Sequence, residues 1–153
     1  MNSKPKSQFK PVLLLQLLLV LGCGWPMLER EIIATDKAPA AIGPYSQAVR
    51  AGRTLYLAGQ IGLDPSTGQL VSGGIENETH QVMANIQAVL EAAGYTLTDV
   101  VQVQAYLADL DEYGAFNAVY AGYFGDRPPA RAVVQAVRLP RDVRVEVMAT
   151  AVK

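Results

Sequence analysis

The stretch PPARAVVQAVRLPRDVRVEVMATAV, residues 128–152, contains two runs of β-branched and apolar residues separated by a short turn. Such runs favour β-strands, so the sequence predicts strands over residues 132–137 and 143–152. The Leu-Pro-Arg-Asp segment between them, residues 139–142, supplies the turn, because proline fixes its backbone angle and aspartate favours turn positions. Two strands in succession at this end of the chain indicate that the fold is built on a sheet.

The rest of the chain predicts four more strands and two helices. The strands are expected at residues 30–35, 47–51, 54–61 and 98–107, with a hairpin turn at Gly52 and Arg53 between the second and third. Apolar residues at helical spacing predict a helix over residues 77–93. The order β-β-β-α-β-α-β-β predicts an α+β fold with a mostly antiparallel sheet and both helices on one face.

The helix ends are predicted from capping residues. Asn77 is expected to cap the start of the first helix, and Gly94 to end it in a left-handed conformation. Asp111 is expected to cap the second helix. The buried stripe of the second helix is predicted to consist of Phe116, Val119, Tyr120 and Tyr123.

Two helices can cover only one face of this sheet. Yet the strands predicted over residues 54–61, 98–107 and 132–137 are apolar at both odd and even positions. Because side chains alternate between the two faces of a strand, this pattern indicates that both faces are buried. The face without helices is therefore expected to be a partner surface, and self-association is the simplest partner.

Residues 27–153 form a single acidic domain. The chain has 153 residues, 13 Lys and Arg, 14 Asp and Glu, and a net charge of −1. Three of the basic residues and none of the acidic ones lie in residues 1–26, so residues 27–153 carry ten bases and fourteen acids, a net charge of −4. This charge argues against a nucleic-acid binder, whose phosphate contacts need clustered Lys and Arg. The length excludes a large multi-domain enzyme.

Residues 1–26 have the composition of an export signal. The basic stretch MNSKPKSQFK precedes the apolar run VLLLQLLLVL and the small residues GCG, an order typical of a secretory signal peptide. The Gly22-Cys23 pair also resembles a lipoprotein cleavage site, which would place a lipid anchor on Cys23. An uncleaved amphipathic anchor, or translation from Met27, are the alternatives. Export predicts a periplasmic or secreted protein, and initiation at Met27 a cytoplasmic one.

Residues 27–153 lack the pairs that several common sites require. They contain one histidine, His80, and no cysteine, since the only cysteine is Cys23. Catalytic dyads that pair His with Cys, and thiolate or histidine zinc sites, are therefore excluded from this domain. His80 is expected to be a surface residue of the first helix. No glycine-rich phosphate-binding loop is present, so the sequence predicts neither a metal nor a cofactor.

Two charged residues in apolar strands are the candidates for chemistry. Arg131 follows two prolines at the start of a strand, where its planar guanidinium could bind a carboxylate through two hydrogen bonds. The alternative is a structural salt bridge. Glu146 lies between Val145 and Val147, and burial of a carboxylate requires a partner or a function. Its alternatives are an ion pair with Arg131 or Arg144, or exposure on an edge strand.

Two further polar residues lie in notable settings. Tyr45 follows Gly43 and Pro44, which set a tight turn ahead of a strand. Asn117 lies among apolar residues of the second predicted helix, and its plain interpretation is an amide on the helix surface. Neither position by itself assigns a reaction.

Four blocks of sequence resemble the RidA/YjgF family. They are APAAIGPYSQAV (residues 38–49), LAGQIGLDPSTGQL (57–70), NIQAVLEAAG (85–94) and the stretch 128–152 quoted above. Their order is that of the family, and the resemblance covers essentially all of residues 27–153. It implies a chorismate-mutase-like fold and a homotrimer whose sheets form a central barrel with clefts between subunits. Such a trimer would cover the face that the two helices leave open.

The resemblance also implies an activity and a set of site residues. The activity is cofactor-free hydrolysis of reactive 2-imino acids and enamines, such as 2-aminoacrylate or 2-iminopropanoate, to 2-oxo acids and ammonia. Arg131 matches the arginine that grips the substrate carboxylate, and Glu146 the glutamate that helps to place the attacking water. The cleft is lined by residues that match Tyr45, Gly59, Asn117 and, through its backbone carbonyl, Val133.

This sequence departs from the family pattern at two positions of the implied cleft. Ala58 stands where a serine is common, and Val133 where a cysteine is frequent. Two other functions stay open at this point. One is a trimer that binds small carboxylates or acts as a chaperone, which would also use Arg131. The other is RNA cleavage with inhibition of translation, against which the net charge of −4 weighs.

Overall fold

The computed structural model describes residues 29–153, which form one mixed sheet covered on one face by two helices. The predicted leader, with Cys23 and Met27, lies outside the described residues. The strands are β1 (Arg30–Ile33), β2 (Ala48–Ala51), β3 (Thr54–Leu57), β4 (Gln60–Ile61), β5 (Val100–Leu107), β6 (Ala130–Gln135) and β7 (Val145–Val152). The helices are α1 (Gly74–Ala92) and α2 (Tyr113–Phe124), with 3₁₀ turns at Leu97–Asp99, Leu110–Glu112 and Pro140–Asp142. Neither α1 nor α2 has the length and apolar composition needed to cross a bilayer.

The sheet has the strand order β1-β2-β3-β7-β5-β6. Every pairing is antiparallel except that of β5 with β6, which are joined through α2 as parallel strands require. The short strand β4 pairs with β7 further along the edge that β3 occupies. The prediction of an α+β fold with a mostly antiparallel sheet and both helices on one face is confirmed.

The strand register assigns each side chain to one of two faces. In β7 the residues Val145, Val147, Ala149 and Ala151 are buried, and the residues between them are half-buried or exposed. The buried set packs under α1 and α2 with Leu55, Val82, Ile86 and Phe116. We call this side the covered face and the other side the open face.

The open face carries apolar side chains that nothing in the described chain covers. Large exposed apolar residues on it are Ile32, Tyr56, Val134, Met148 and Val152. A monomer rarely exposes a contiguous apolar surface of this kind. The structure thus shows that the two helices leave one face uncovered, and that this face exposes several large apolar side chains.

The predicted cap of the first helix is wrong. The helix α1 begins at Gly74, three residues before Asn77. Gly73 and Gly74 turn the chain at this point, with φ of 106° and 79°. Asn77 lies inside the helix, and its Nδ2 donates to the carbonyl of Ser72 at 2.8 Å. The predicted end is confirmed, since Gly94 has a φ of 76°. The apolar stripe that predicted α1 is buried, with Val82, Ile86, Val89, Leu90 and Ala93 in the core.

Asp111 does not cap α2. The side chain of Asp109 instead accepts from the backbone nitrogen of Asp111 at 2.9 Å and caps the 3₁₀ turn Leu110–Glu112, and α2 follows from Tyr113. The sequence contains three acidic residues close together, Asp109, Asp111 and Glu112, and only the turn geometry decides which of them caps. Of the predicted stripe, Phe116 and Tyr120 are buried, and Val119 and Tyr123 are half-buried.

All six predicted strands differ from the structure in their bounds by one or more residues, and three of the differences have a clear structural origin. The run 54–61 is interrupted at Ala58 and Gly59, because β3 and β4 pair with separate parts of β7. The first residues of the run 98–107 belong to the 3₁₀ turn Leu97–Asp99. The strand β6 begins at Ala130, since its parallel pairing with β5 starts there, so Arg131 lies within the strand and not before it.

Candidate active site

Arg131 lies on the covered face, under the first half of α2. It pairs with Val103, which pairs in turn with the buried Ala149, so the three side chains share a face. The Arg131 guanidinium carbon lies 4.4 Å from the centroid of the Tyr120 ring and 5.5 Å from that of Phe116. A planar cation over aromatic rings is stabilised by the ring quadrupole and loses much of its freedom to rotate. The aromatic stripe of α2 therefore orients this arginine.

Two polar groups of α2 complete the setting of Arg131. Its Nη2 donates to Asn117 Oδ1 at 2.7 Å and to the Tyr113 hydroxyl at 3.3 Å. The hydrogen bond with Asn117 and the charge of Arg131 lower the pKa of Tyr113. Burial raises the pKa of Tyr120 to about 12, so its hydroxyl stays protonated at neutral pH. Asn117 is thus a partner of the arginine and not a free surface amide.

The alternative interpretation of Arg131 as an internal ion pair is wrong for this part of the chain. Within residues 29–153 the ion pairs are Arg50–Glu31, Arg138–Asp142, Arg144–Glu78 and Arg144–Glu112, and none includes Arg131. The guanidinium instead borders a cavity of about 420 Å³ that is lined by Leu110, Tyr113, Arg131 and Val133. The arginine therefore keeps hydrogen-bonding capacity for an anion in that cavity.

Glu146 lies on the opposite face of the sheet from Arg131. It is three residues from Ala149 in β7, so its side chain points to the open face, where its strand partners are Tyr106 and Ile61. No described side chain forms an ion pair with it, and burial raises its pKa above the ordinary value of 4.5. An ionised carboxylate held partly out of water is a stronger base than one in water.

Gly59 lies directly against this carboxylate. A Cβ at position 59 would overlap Glu146 Oε1 and would lie 2.8 Å from its Cδ, so only glycine allows the approach. The break between β3 and β4 at Ala58 and Gly59 thus brings the backbone to the glutamate. Gly59 and Glu146 form a second polar centre, apart from that of Arg131.

Tyr45 lies in the loop before β2, near the edge of the sheet opposite β6. Its side chain is 48% exposed, and its hydroxyl accepts from the backbone nitrogen of Ile42 at 3.2 Å. It lines a separate cavity of about 530 Å³ together with Ile32, Thr35 and Ser46. Tyr45 is therefore apart from both polar centres within one copy of the chain.

The structure groups the predicted site residues into three sets. Arg131 is hydrogen-bonded to Asn117 and shares a cavity with Val133, Gly59 lies against Glu146, and Tyr45 lies apart from both. Sequence reasoning missed Tyr113, whose signal was its position one helical turn before Asn117. His80 is exposed on α1 as predicted, with its Nδ1 2.8 Å from the Tyr123 hydroxyl.

This chain is similar in sequence and fold to known proteins. A family model described as Endoribonuclease L-PSP matches residues 35–153. A RutC family protein of Pyrococcus horikoshii is 52% identical over 124 residues, which are 81% of this chain and 98% of that protein. A protein of Mus musculus named 2-iminobutanoate/2-iminopropanoate deaminase is 51% identical over 124 residues, 81% of this chain and 92% of that protein.

The fold also matches a solved structure. The crystal structure of RidA from an Antarctic Psychrobacter superposes with a TM-score of 0.78 and 43% sequence identity, and the match covers 80% of this chain and 99% of that one. The resemblance to the RidA/YjgF family, drawn above from four sequence blocks, is thereby confirmed.

Proposed function

We propose that this chain, which belongs to the Endoribonuclease L-PSP family that includes RidA, hydrolyses reactive 2-imino acids and enamines to 2-oxo acids and ammonia. Relatives about half identical to this chain carry the name of that deaminase. The substrates are 2-aminoacrylate, its imine tautomer 2-iminopropanoate, and 2-imino acids of similar size.

The setting of Arg131 carries this proposal. A guanidinium that is packed on the Tyr120 ring, hydrogen-bonded by Asn117 and unpaired with any described carboxylate is preorganised for a small anion. Every 2-imino acid carries a carboxylate next to its reactive carbon. Binding that carboxylate at Arg131 fixes the position of the imine carbon, and orientation of this kind is a large part of catalysis for an already electrophilic group.

The chemistry then needs one placed water molecule. The water oxygen adds to the carbon of the protonated imine, and Glu146 passes a proton from that oxygen to the nitrogen. The C–N bond of the carbinolamine then breaks, its electron pair leaves with ammonia, and the remaining hydroxyl proton passes to that ammonia. The products are the 2-oxo acid and ammonium, so a protonated imine and water balance them in atoms and charge. The raised pKa of Glu146 suits a group that accepts and returns a proton.

A homotrimer with sites between subunits is part of the proposal. Arg131 and Glu146 lie on opposite faces of the sheet in one copy, so they can act on one substrate only if the Glu146 of another copy faces Arg131. The exposed apolar residues of the open face support burial of that face between copies, which would form the central barrel. Tyr45, which is exposed near the β1 edge of the sheet, would likewise line a site formed with another copy of the chain.

The deciding experiment measures ammonia release from 2-iminopropanoate generated in situ by an amino-acid oxidase. Loss of charge-assisted hydrogen bonds at roughly 1.5–3 kcal/mol each predicts that Arg131→Ala lowers kcat/KM at least about 100-fold. Arg138→Ala is the matched control, because Arg138 is exposed and paired with Asp142. Rates for wild type and Arg131→Ala that both equal the rate of spontaneous imine hydrolysis would refute the deaminase, and equal rates above that level would refute the role of Arg131.

Two further measurements, binding of pyruvate and cleavage of RNA, separate the two other functions. Tight binding of pyruvate by wild type without any hydrolysis of the imine would favour the carboxylate-binding trimer. Cleavage of RNA that falls steeply with salt would favour the endoribonuclease that the family description names. The net charge of −4 over residues 27–153 speaks against the second outcome.

A further inference from the structure

The face of α1 that packs on the sheet carries three buried polar residues, and two of them, Glu78 and Asn85, form hydrogen bonds outside the helix. Glu78 is 3% exposed and Asn85 is 1% exposed. They are seven residues apart, about two helical turns, and therefore lie on the same side of the helix. Burial of a carboxylate or an amide is costly unless it is compensated by hydrogen bonds, so the partners of these two groups are informative.

Asn85 holds the chain just after β4. Its Nδ2 donates to the backbone carbonyls of Ile61 and Leu63, both at 3.0 Å. Its Oδ1 accepts from Gln81 Nε2 at 2.9 Å, which fixes the amide in this orientation. One side chain of α1 thus ties down the segment 61–63.

Glu78 contacts the same segment and the start of β7. Its Oε2 accepts from the backbone nitrogen of Arg144 at 2.7 Å. Its own Cα, Cβ and Cγ lie so close to Gly62 that a Cβ there would be 3.1 Å from each of them. The helix is therefore in contact with the backbone on both sides of the β4–β7 pairing.

These contacts surround the Gly59–Glu146 pair. Ile61 pairs with Glu146 between β4 and β7, and Gly59, one residue before β4, lies against the Glu146 carboxylate. The strand β7 is also held along its other edge by β5. The strand β4 has two residues and pairs only with β7, so α1 supplies much of what holds it.

We propose that Glu78 and Asn85 are positioning residues that hold Gly59 against the Glu146 carboxylate and so set where the attacking water is placed. This inference rests on the proposed function. Without these hydrogen bonds, β4 and Gly59 would move away from the carboxylate and admit bulk water. The Arg131 guanidinium is held by Asn117 and Tyr113 of α2. Neither Glu78 nor Asn85 is hydrogen-bonded to these residues, so substrate binding and the chemical step should respond separately.

The first test compares Asn85→Ala with Thr79→Val. Thr79 is a buried residue of α1 whose hydroxyl donates to Ile75 O within the helix, so its loss perturbs α1 without touching β4. Asn85→Ala should lower kcat about 10- to 100-fold with KM unchanged, as expected for a misplaced catalytic group. It should also move the acid limb of the kcat profile to lower pH, since Glu146 becomes better solvated. Thr79→Val should leave kcat, KM and the profile unchanged.

The second test compares two variants of Glu78. Glu78→Gln keeps an oxygen that can accept from the Arg144 nitrogen and should retain most of the wild-type kcat. Glu78→Ala removes the acceptor and should lower kcat as Asn85→Ala does. If Asn85→Ala does not fold, this pair decides the question by itself.

The outcomes separate the inference from the function on which it rests. An active wild type in which Asn85→Ala and Thr79→Val behave alike, with the same pH profile, would overturn the positioning role alone. An inactive wild type would overturn the proposed function. Amide hydrogen exchange then tests the structural part, because Asn85→Ala should speed exchange at Ile61 more than Thr79→Val does, and equal exchange would overturn it.

Discussion

The charged residues on the two faces of the sheet, Arg131 and Glu146, have different surroundings. On the covered face, Arg131 is packed on aromatic rings of α2 and hydrogen-bonded by Asn117 and Tyr113. On the open face, Glu146 has no partner side chain among residues 29–153 and lies against the backbone of Gly59. The Arg131 guanidinium has its hydrogen-bonding and aromatic partners within one copy of the chain, whereas the Glu146 carboxylate has no side-chain partner among the described residues.

The separation has a clear physical benefit. If Arg131 and Glu146 met in one copy, they would form an ion pair that occupies both functional groups, and breaking a buried pair is strongly unfavourable. Placing them on opposite faces of one sheet prevents that pairing during folding of the chain. Association of copies can then bring the two charges to a common cavity with a substrate between them.

The largest expected effect is that of a charged substitution on the open face. Met148 lies in β7 near the centre of the open face, and Met148→Glu would place a charge on the face that the proposed trimer buries. We expect dissociation to monomers, measured by sedimentation, and a fall of ammonia release to the rate of spontaneous imine hydrolysis because no complete site remains. The control is Ala84→Glu, on the exposed side of α1, which should stay trimeric and active. A trimeric and active Met148→Glu protein would contradict the proposed interface.

The next largest effect concerns the carboxylate alone. Glu146→Gln keeps the size of the side chain and removes its proton-accepting charge, so kcat should fall about 100- to 10,000-fold, the range of general acid–base catalysis. For wild type, burial raises the pKa of Glu146, and activity should therefore fall as pH decreases through a value above 4.5. This acid limb should be absent from the residual activity of Glu146→Gln. An unchanged limb in the variant would assign it to another group.

The smallest effect concerns the group that orients the arginine. Asn117→Ala removes the 2.7 Å hydrogen bond to Arg131 Nη2 but leaves the aromatic rings in place. A hydrogen bond to a charged group contributes about 1.5–3 kcal/mol, so KM should rise roughly tenfold or more while kcat changes little. Steady-state kinetics on 2-iminopropanoate measure both values. A fall in kcat with constant KM would show that Asn117 acts in the chemical step and not in binding.

Much of the fold could be predicted because its signals are local. The periodic apolar residues Val82, Ile86, Val89 and Leu90 predict α1, and the structure buries all four. Gly94 predicts the end of that helix because a left-handed residue there favours glycine. The start of α1 could not be predicted from Asn77, since Gly73 and Gly74 turn the chain before it with positive φ values.

The candidate site could be predicted as a set of residues but not as an arrangement. Arg131 and Glu146 stand out because charged residues in apolar strands need a reason to be there. The contact of Gly59 with Glu146 depends on the interruption between β3 and β4. The sequence predicts one continuous strand over residues 54–61 and does not show this interruption. Asn85 and Glu78 look like ordinary polar positions of a helix until the structure shows that both are buried.

The sequence by itself determined the order of the two helices and the main strands, with β3 and β4 predicted as one strand, and the acidic character of residues 27–153. It also marked Arg131 and Glu146 as charged residues in apolar strands, while their roles are implied by the resemblance to the RidA/YjgF family. Only the tertiary structure decided that Arg131 and Glu146 occupy opposite faces. The face of a side chain depends on the register between strands far apart in sequence, and a shift of one residue would reverse it. That register is set by packing of the whole sheet against its two helices, and no local pattern contains it.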